Sequence, residues 1–428
     1  MSARWRFAGI AVVALFAPSL AQAEVIAITG GTVHTLGPAG TIQGGTVLIE
    51  DGKIRAVGRD VAVPAGAKRI DATGKVVTPG LIDSLTRIGL VEVSAVQGSQ
   101  DATLRDDRIT AAFEVTDALN PRSTLIPVNR IEGITRAVVA PNTGNSLIAG
   151  RGAIIHLGTE SPGYIVRSPA AMFAVLGETG AELSGGSRGG AMLRLREALQ
   201  DAEDYAANRA SFERGERREY ALSRLDLEAL VPVVRGELPL VVAVREAADV
   251  EAALRLKKDF RLKMILADAV EAWKVAPQIA EAKVPVLLNV LSNLPESFES
   301  LGANLESAAW LHKAGVTVAF MTGEAHNIRN LKQGAGNAAA YGMPREAALA
   351  AMTTVPARIW GLQDRYGSLE AGKDADVVVW DGDPLEVTTF ADHVFIRGAE
   401  IPMESRQTRL RDRYKNVPGD LPPVYQKP

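Results

Sequence analysis

Between Thr135 and Met321 the chain alternates short, strongly apolar runs with stretches of helical spacing, and this alternation restricts the fold more than any other feature. The clearest runs are 135–140, 238–244, 262–266, 284–290 and 316–321. Helical periodicity marks 249–258, 273–281 and 306–314, and 344–352 reads as a helix with proline in its first turn. Strand–helix alternation of this length predicts a parallel α/β architecture, and a closed (β/α)8 barrel of the TIM type is the economical form of it. Two stretches break the rhythm. Residues 142–168 mix Gly, Ser and short β-rich pieces and read as an insertion. Residues 185–224, rich in Arg, Glu and Ala, read as a helical excursion with a solvated face.

Both ends are β-rich. Residues 32–36, 46–50 and 53–57 have strand composition, with Asp51-Gly52 as a hairpin signal, and 375–380 and 393–397 read the same way. Neither end has enough strands to bury two faces alone. Together, residues 24–77 and 366–405 are expected to make one small composite β-sandwich, with 78–365 as the barrel. The polar, Pro-rich tail, 406–428, reads as an arm across a neighbour.

Charge and composition exclude several functions. A formal net charge of -3 without a long basic run argues against nucleic acid as a partner. The chain has no cysteine, which excludes disulfides, thiolate metal sites and lipid attachment through an N-terminal Cys. Arg4 and Arg6 precede an apolar run over 8–20 and then Ala21-Gln22-Ala23, the pattern of a signal peptide covering 1–23 and cut before Glu24. No later run reaches the roughly 18–20 apolar residues of a spanning helix, so no membrane span is expected. A periplasmic address follows, with secretion as the alternative.

Three segments carry a family likeness. Val76-Val77-Thr78-Pro79-Gly80-Leu81-Ile82-Asp83 resembles the passage from sandwich into first barrel strand in the amidohydrolase superfamily. Gly367-Ser368-Leu369-Glu370-Ala371-Gly372-Lys373-Asp374-Ala375-Asp376 resembles the return, and 347–361, with Thr353-Thr354-Val355-Pro356-Ala357, resembles the helix and turn before it. The order and spacing also match, and the resemblance is closest to the imidazolonepropionase-like branch. It implies a barrel beside a composite sandwich, and a metal ion held by imidazoles and carboxylates at strand ends to activate water.

The positions that the resemblance assigns to the metal hold other residues. Where relatives carry Asp-x-His-x-His, this chain has Asp83-Ser84-Leu85-Thr86, so Ser84 and Thr86 replace ligands. Val242, Ala243 and Val244 stand where a histidine is expected near Arg245, and Gly323 follows Thr322 where the family has Asp. Asp268, three residues before Glu271, is the one implied position still able to bind a metal. Of five histidines, His34 and His393 fall in the sandwich segments, His156 in the insertion and His312 on a helix. His326 alone lies near a strand end at the expected catalytic face. No metal site and no cofactor are expected, the alternative being one weakly bound divalent metal.

Asp268, Glu324, His326 and Arg329 remain as candidate site residues: two carboxylates, a titratable imidazole and a fixed cation. They could clamp a carboxylate and shuttle a proton, or form an ion-paired network filling a retired site. Asn142-Thr143-Gly144-Asn145-Ser146 reads either as an anion-binding loop or as a plain turn. Three function classes follow. One is an exported, noncatalytic amidohydrolase-like protein that binds a small polar ligand or partners an active paralogue. Another is a hydrolase of non-peptide carbon–nitrogen bonds, such as cyclic amides or N-acyl compounds, with an atypical site. The last is a structural or interaction protein, with the Pro-rich tail and the 142–168 insertion as contact surfaces; a homo-oligomer is one partner arrangement open to the chain.

Overall fold

The computed structural model describes residues 25–106, 108–159 and 163–415; the expected leader and the tail beyond 415 lie outside them. The chain begins with strands β1 (Ile26–His34), β2 (Thr41–Glu50), β3 (Lys53–Gly58), β4 (Lys68–Asp71) and β5 (Val76–Pro79). Asp51 and Gly52, both at positive φ, form the two-residue turn between β2 and β3, the primed geometry that matches strand twist.

One residue after β5 the chain enters a second sheet. Its strands are β6 (Leu81–Thr86), β7 (Ile134–Val139), β8 (Ile148–His156), β9 (Ile165–Val175), β10 (Leu240–Val244), β11 (Met264–Asp268), β12 (Val286–Leu288) and β13 (Val318–Phe320), adjacent in chain order. The ring closes between β6 and the chain following β13. Gly323 N donates to Leu85 O (2.9 Å) and Arg87 N to Glu324 O (2.8 Å), while Ala351 and Met352 bridge the lower half through Phe320 N and Ile82 N. Alternate residues such as Ile82, Val138, Phe173, Val241, Ile265, Leu287 and Ala319 fill the interior, stoppered at the lower end by Trp360 and Tyr366. The other strand faces, including Val242, Val244, Leu266 and Phe320, pack outward on the helices.

The stretch 142–168, expected to be an insertion, instead supplies barrel strand β8 and the start of β9. β8 runs antiparallel to both β7 and β9, so the ring is not uniformly parallel. Gly150 and Gly152, which gave the segment its turn-like look, lie at register shifts within β8. Gly152 is there because Phe173 and the carbonyl of Val139 leave no space for a Cβ. The excursion over 185–224 is mainly one long helix, Arg188–Glu213, which buries Leu195 and Leu199; a second helix, Arg224–Val234, follows it.

Strands β14 (Val377–Trp380), β15 (Ala391–Ile396) and β16 (Ala399–Glu400) return to the first sheet, giving the order β16-β15-β14-β5-β1-β2-β3, with β4 on β1. The sheet curls around its own core of Ile28, Val47, Ile54, Val77, Val379 and Phe395. Its far ends meet where Gly52 packs against Gly398, at a separation that leaves no room for a Cβ on either residue. The strands of both chain ends therefore share one sheet, and its hydrogen bonds lead directly into β6.

Candidate functional site at the barrel mouth

Seven of the eight barrel strands point their C-terminal ends at one mouth, with β8 presenting its N-terminal end there. The innermost side chains at this level are apolar: Leu85, Ala140, Ala267 and Met321 belong to the interior cluster. Ser84 is fully buried and its Oγ has no hydrogen-bond partner among the described residues, and Thr86 Oγ1 accepts from Ile88 N at 3.3 Å. Of the positions on β10 where a histidine was expected, Val242 packs outward, and Val244, at the strand end, packs outward too but also lines the mouth cleft beside Ala243. The strand period of two puts Val242 and Ala243 on opposite faces.

Asp83 closes the ring rather than opening onto the mouth. Its Oδ1 accepts from Leu85 N (3.0 Å) and Thr322 N (3.2 Å), and its Oδ2 accepts from Thr322 Oγ1 (2.6 Å). The carboxyl is 0% exposed, and loss of hydration raises it to about 7 against the lowering effect of those donors and of Arg87. Arg87 is pulled down to about 10 by the same burial and still carries its charge at neutral pH. Its Nε donates to Asn142 Oδ1 and its Nη1 to Thr86 O (3.2 Å), tying the loop after β7 to the end of β6.

The four candidate residues do not converge. Asp268, at positive φ, accepts from Arg245 Nε at 2.6 Å, and Glu299 Oε1 lies 3.8 Å from the same nitrogen. His326 instead joins loops: Nε2 meets Glu92 O (3.0 Å) and Nδ1 meets Ser94 Oγ (3.4 Å). Arg329 Nη2 donates to Asn327 Oδ1 (3.2 Å), and its backbone N–H to Asn129 Oδ1 (2.9 Å), so it bonds to side-chain amides rather than to Glu324 or Asp268. The Glu324 side chain is exposed.

Two adjoining clefts open at the mouth and share Val175 and Thr179. One, about 360 Å³, holds Arg245, Asp268 and Glu299 over Ala243. Glu299 Oε2 accepts from Glu178 N (2.8 Å), and burial raises its carboxyl above the ordinary range. The other, about 450 Å³, is lined by Arg87, Arg105, Asn142, Thr143, Asn145 and Thr179, among others. The loop after β7 thus lines a cleft. Arg87, Arg105, Arg245 and Glu299 were not among the sequence-derived candidates. The signal for Arg87 and Arg245 was their place directly after an apolar strand run, where a barrel exposes side chains at its mouth.

Among the described residues, no group of three or more His, Cys, Asp or Glu side chains could hold a metal ion. The donors at the mouth do not fit the metal that the fold implies, because hydroxyls and aliphatic groups stand at the strand ends and Asp268 is taken up by Arg245.

The Amidohydrolase family model matches residues 199–401, just under half the chain. An amidohydrolase structure from Thermotoga maritima MSB8 superposes with a TM-score of 0.79 at 28% identity, covering 88% of this chain and 99% of that one. Over 199–401 the chain matches the amidohydrolase family, and its fold is of the amidohydrolase type. Imidazolonepropionase from Brucella anthropi is 24% identical over 407 residues, covering 80% of this amidohydrolase-fold chain and 88% of that enzyme. Amidohydrolase tasK from Hapsidospora irregularis is 26% identical over 417 residues, 89% of this chain, but the chain spans only 42% of that relative's length.

Proposed function

We propose that this amidohydrolase-fold protein is an exported, noncatalytic binder of a small polar ligand, in which the metal-dependent hydrolytic site has degenerated. The observation that carries the reading is the apolar lining of the mouth by Leu85, Ala140, Ala243, Ala267 and Met321, beside Ser84 and Thr86 on the strand that should bring two imidazoles. A hydroxide-generating metal needs imidazole or carboxylate donors converging within about 2.0–2.3 Å of one point. His326 is engaged with Glu92 and Ser94, which suits a loop-fastening role better than proton transfer. Asp83, although raised towards neutrality, is enclosed, with Thr322 and Leu85 supplying its hydrogen bonds, so a substrate has no path to it. Export rests on the leader pattern of residues 1–23 and leads to a periplasmic address.

A second reading, hydrolysis of a non-peptide carbon–nitrogen bond, is favoured by the placement of Asp268 and Glu299 in one open cleft. Elemental analysis of protein purified without chelator, with turnover assays on cyclic amides and N-acyl amino acids, separates the two. The binding reading expects less than one tightly bound transition metal per chain and no turnover with added zinc. Stoichiometric zinc lost on Asp268→Ala, or turnover lost on the same substitution, would establish the hydrolase instead.

A further inference from the structure

The larger mouth cleft has a charge arrangement that its own residues leave unbalanced. Arg87 and Arg105 both line it, and among the described residues no carboxylate does. Arg87 uses Nε and Nη1 on Asn142 and Thr86, and it lines the cleft with Asp83 and Glu324 near it but outside the lining. Arg105 is exposed, and its side chain has no hydrogen-bond or ion-pair partner among the described residues. The neighbouring Asp106 is taken up by Arg108 through contacts of 2.9 and 2.6 Å. Arg87 is partly offset by Asp83 and Glu324, but Arg105 is not. Two guanidiniums therefore line one cavity that holds no acid among its described lining residues, a positive focus that a bound anion would relieve.

The walls that hold these cations are fixed to each other. Asn142 N donates to Ala102 O (2.7 Å), and Asn145 Nδ2 donates to Arg105 O (2.6 Å), zipping the segments 102–105 and 142–145 together. Gly144 fits against the Leu104 carbonyl so closely that a Cβ would lie 1.8 Å from the oxygen. Thr103, Thr143 and Thr179 add hydroxyls around the same space. A preformed cleft with two forked cations and several neutral donors matches the geometry of an oxyanion group.

We propose that the cleft between Arg87 and Arg105 is a binding site for the carboxylate or phosphate group of a small polar molecule, oriented by the Asn142–Asn145 loop. This assignment stands whether or not the neighbouring cleft hydrolyses anything, because it uses neither Asp268 nor a metal.

Isothermal titration of the full mature chain at low salt, with inorganic phosphate and separately with succinate, tests it. At least one should bind with a Kd of about 1 mM or tighter. Which of them binds identifies phosphate or carboxylate as the preferred group. Arg105→Ala should weaken binding about tenfold and Arg105→Glu should abolish it, while Arg196→Ala, an exposed arginine paired with Asp259 on the long helix, changes nothing. Arg105 is exposed and makes only a backbone contact to Asn145, so an unchanged melting temperature is expected for its variants. The assignment is overturned if neither anion binds up to roughly 10 mM. It is equally overturned if the Arg105 variants bind as the Arg196 variant does. Neither result would bear on metal content or turnover, which test the noncatalytic reading separately.

Discussion

Arg136 and Asp376 form an ion pair across the junction of barrel and sheet. Arg136 Nε lies 2.8 Å from Asp376 Oδ2, and Nη2 donates to Oδ1 at 3.1 Å. Arg136 is on β7, while Asp376 immediately precedes β14 and also accepts from Arg397 N (2.9 Å). The guanidinium lies 3.6 Å from the Tyr366 ring centre, and burial raises that phenol to about 12. Both charges are almost fully enclosed, so removing one strands the other. Asp376→Ala is expected to cost about 3–5 kcal/mol, measured by urea denaturation. The double variant Arg136→Met/Asp376→Leu should recover a large part of that loss, because it leaves no buried charge.

Asp83 should make stability depend on pH in a direction unusual for a carboxylate. Its folded pKa, about 7, lies above its ordinary value of 3.8, so between those limits the folded protein binds more protons than the unfolded chain. The contribution is therefore full below about pH 4, declines as pH rises towards 7, and is level above. Asp83→Asn keeps an acceptor for the two N–H groups and adds a donor for Thr322 Oγ1. The variant minus wild-type stability, followed by denaturation from pH 4 to 8, should grow with pH and reach at most about 4 kcal/mol. A flat difference would show that Asp83 is not the titrating group.

The strand–helix rhythm showed a barrel, because buried strands are written as uninterrupted apolar runs. It could not show that β8 runs the other way, since Gly150 and Gly152 there mark close backbone approach as readily as a turn. The hairpin at Asp51-Gly52 was legible because Asp and Gly are residue types that adopt the positive φ this turn requires, as both do here. Site residues were harder. Asp268, His326 and Arg329 bond to different partners and Glu324 is exposed, and partner choice is set by loop geometry that no local pattern encodes.

Asp268 combines a positive φ of 68° with its bond to Arg245. Asp268→Asn keeps a residue tolerant of that backbone and should lower stability by only about 1 kcal/mol. Asp268→Val places a β-branched side chain in the left-handed region and should cost about 2 kcal/mol more. Thermal unfolding of both variants compares the two terms.

Gly152→Ala should be among the most damaging single-methyl additions in the barrel. The new Cβ would lie 2.4 Å from Phe173 Cε2 and 2.6 Å from Val139 O, so both neighbouring strands must move. A loss of about 2–3 kcal/mol in denaturant unfolding is expected. The accompanying Phe173→Leu change should return part of it by freeing space on one side only.

Trp380 Nε1 donates to Thr78 Oγ1 at 2.8 Å across 302 positions of sequence, and β14 completes the pairing of β5 at the same place. A ribosome adding about 5–20 residues per second would take roughly 15–60 s to deliver the second partner after the first. For that interval the edge of β5 and the core strands behind it lack the cover that β14 and β15 later supply. Unpaired, apolar strand edges are templates for wrong pairing. The emerging chain thus has a vulnerable period set by its topology, during which holding factors, low expression rate or reduced temperature should raise the yield of correctly assembled protein.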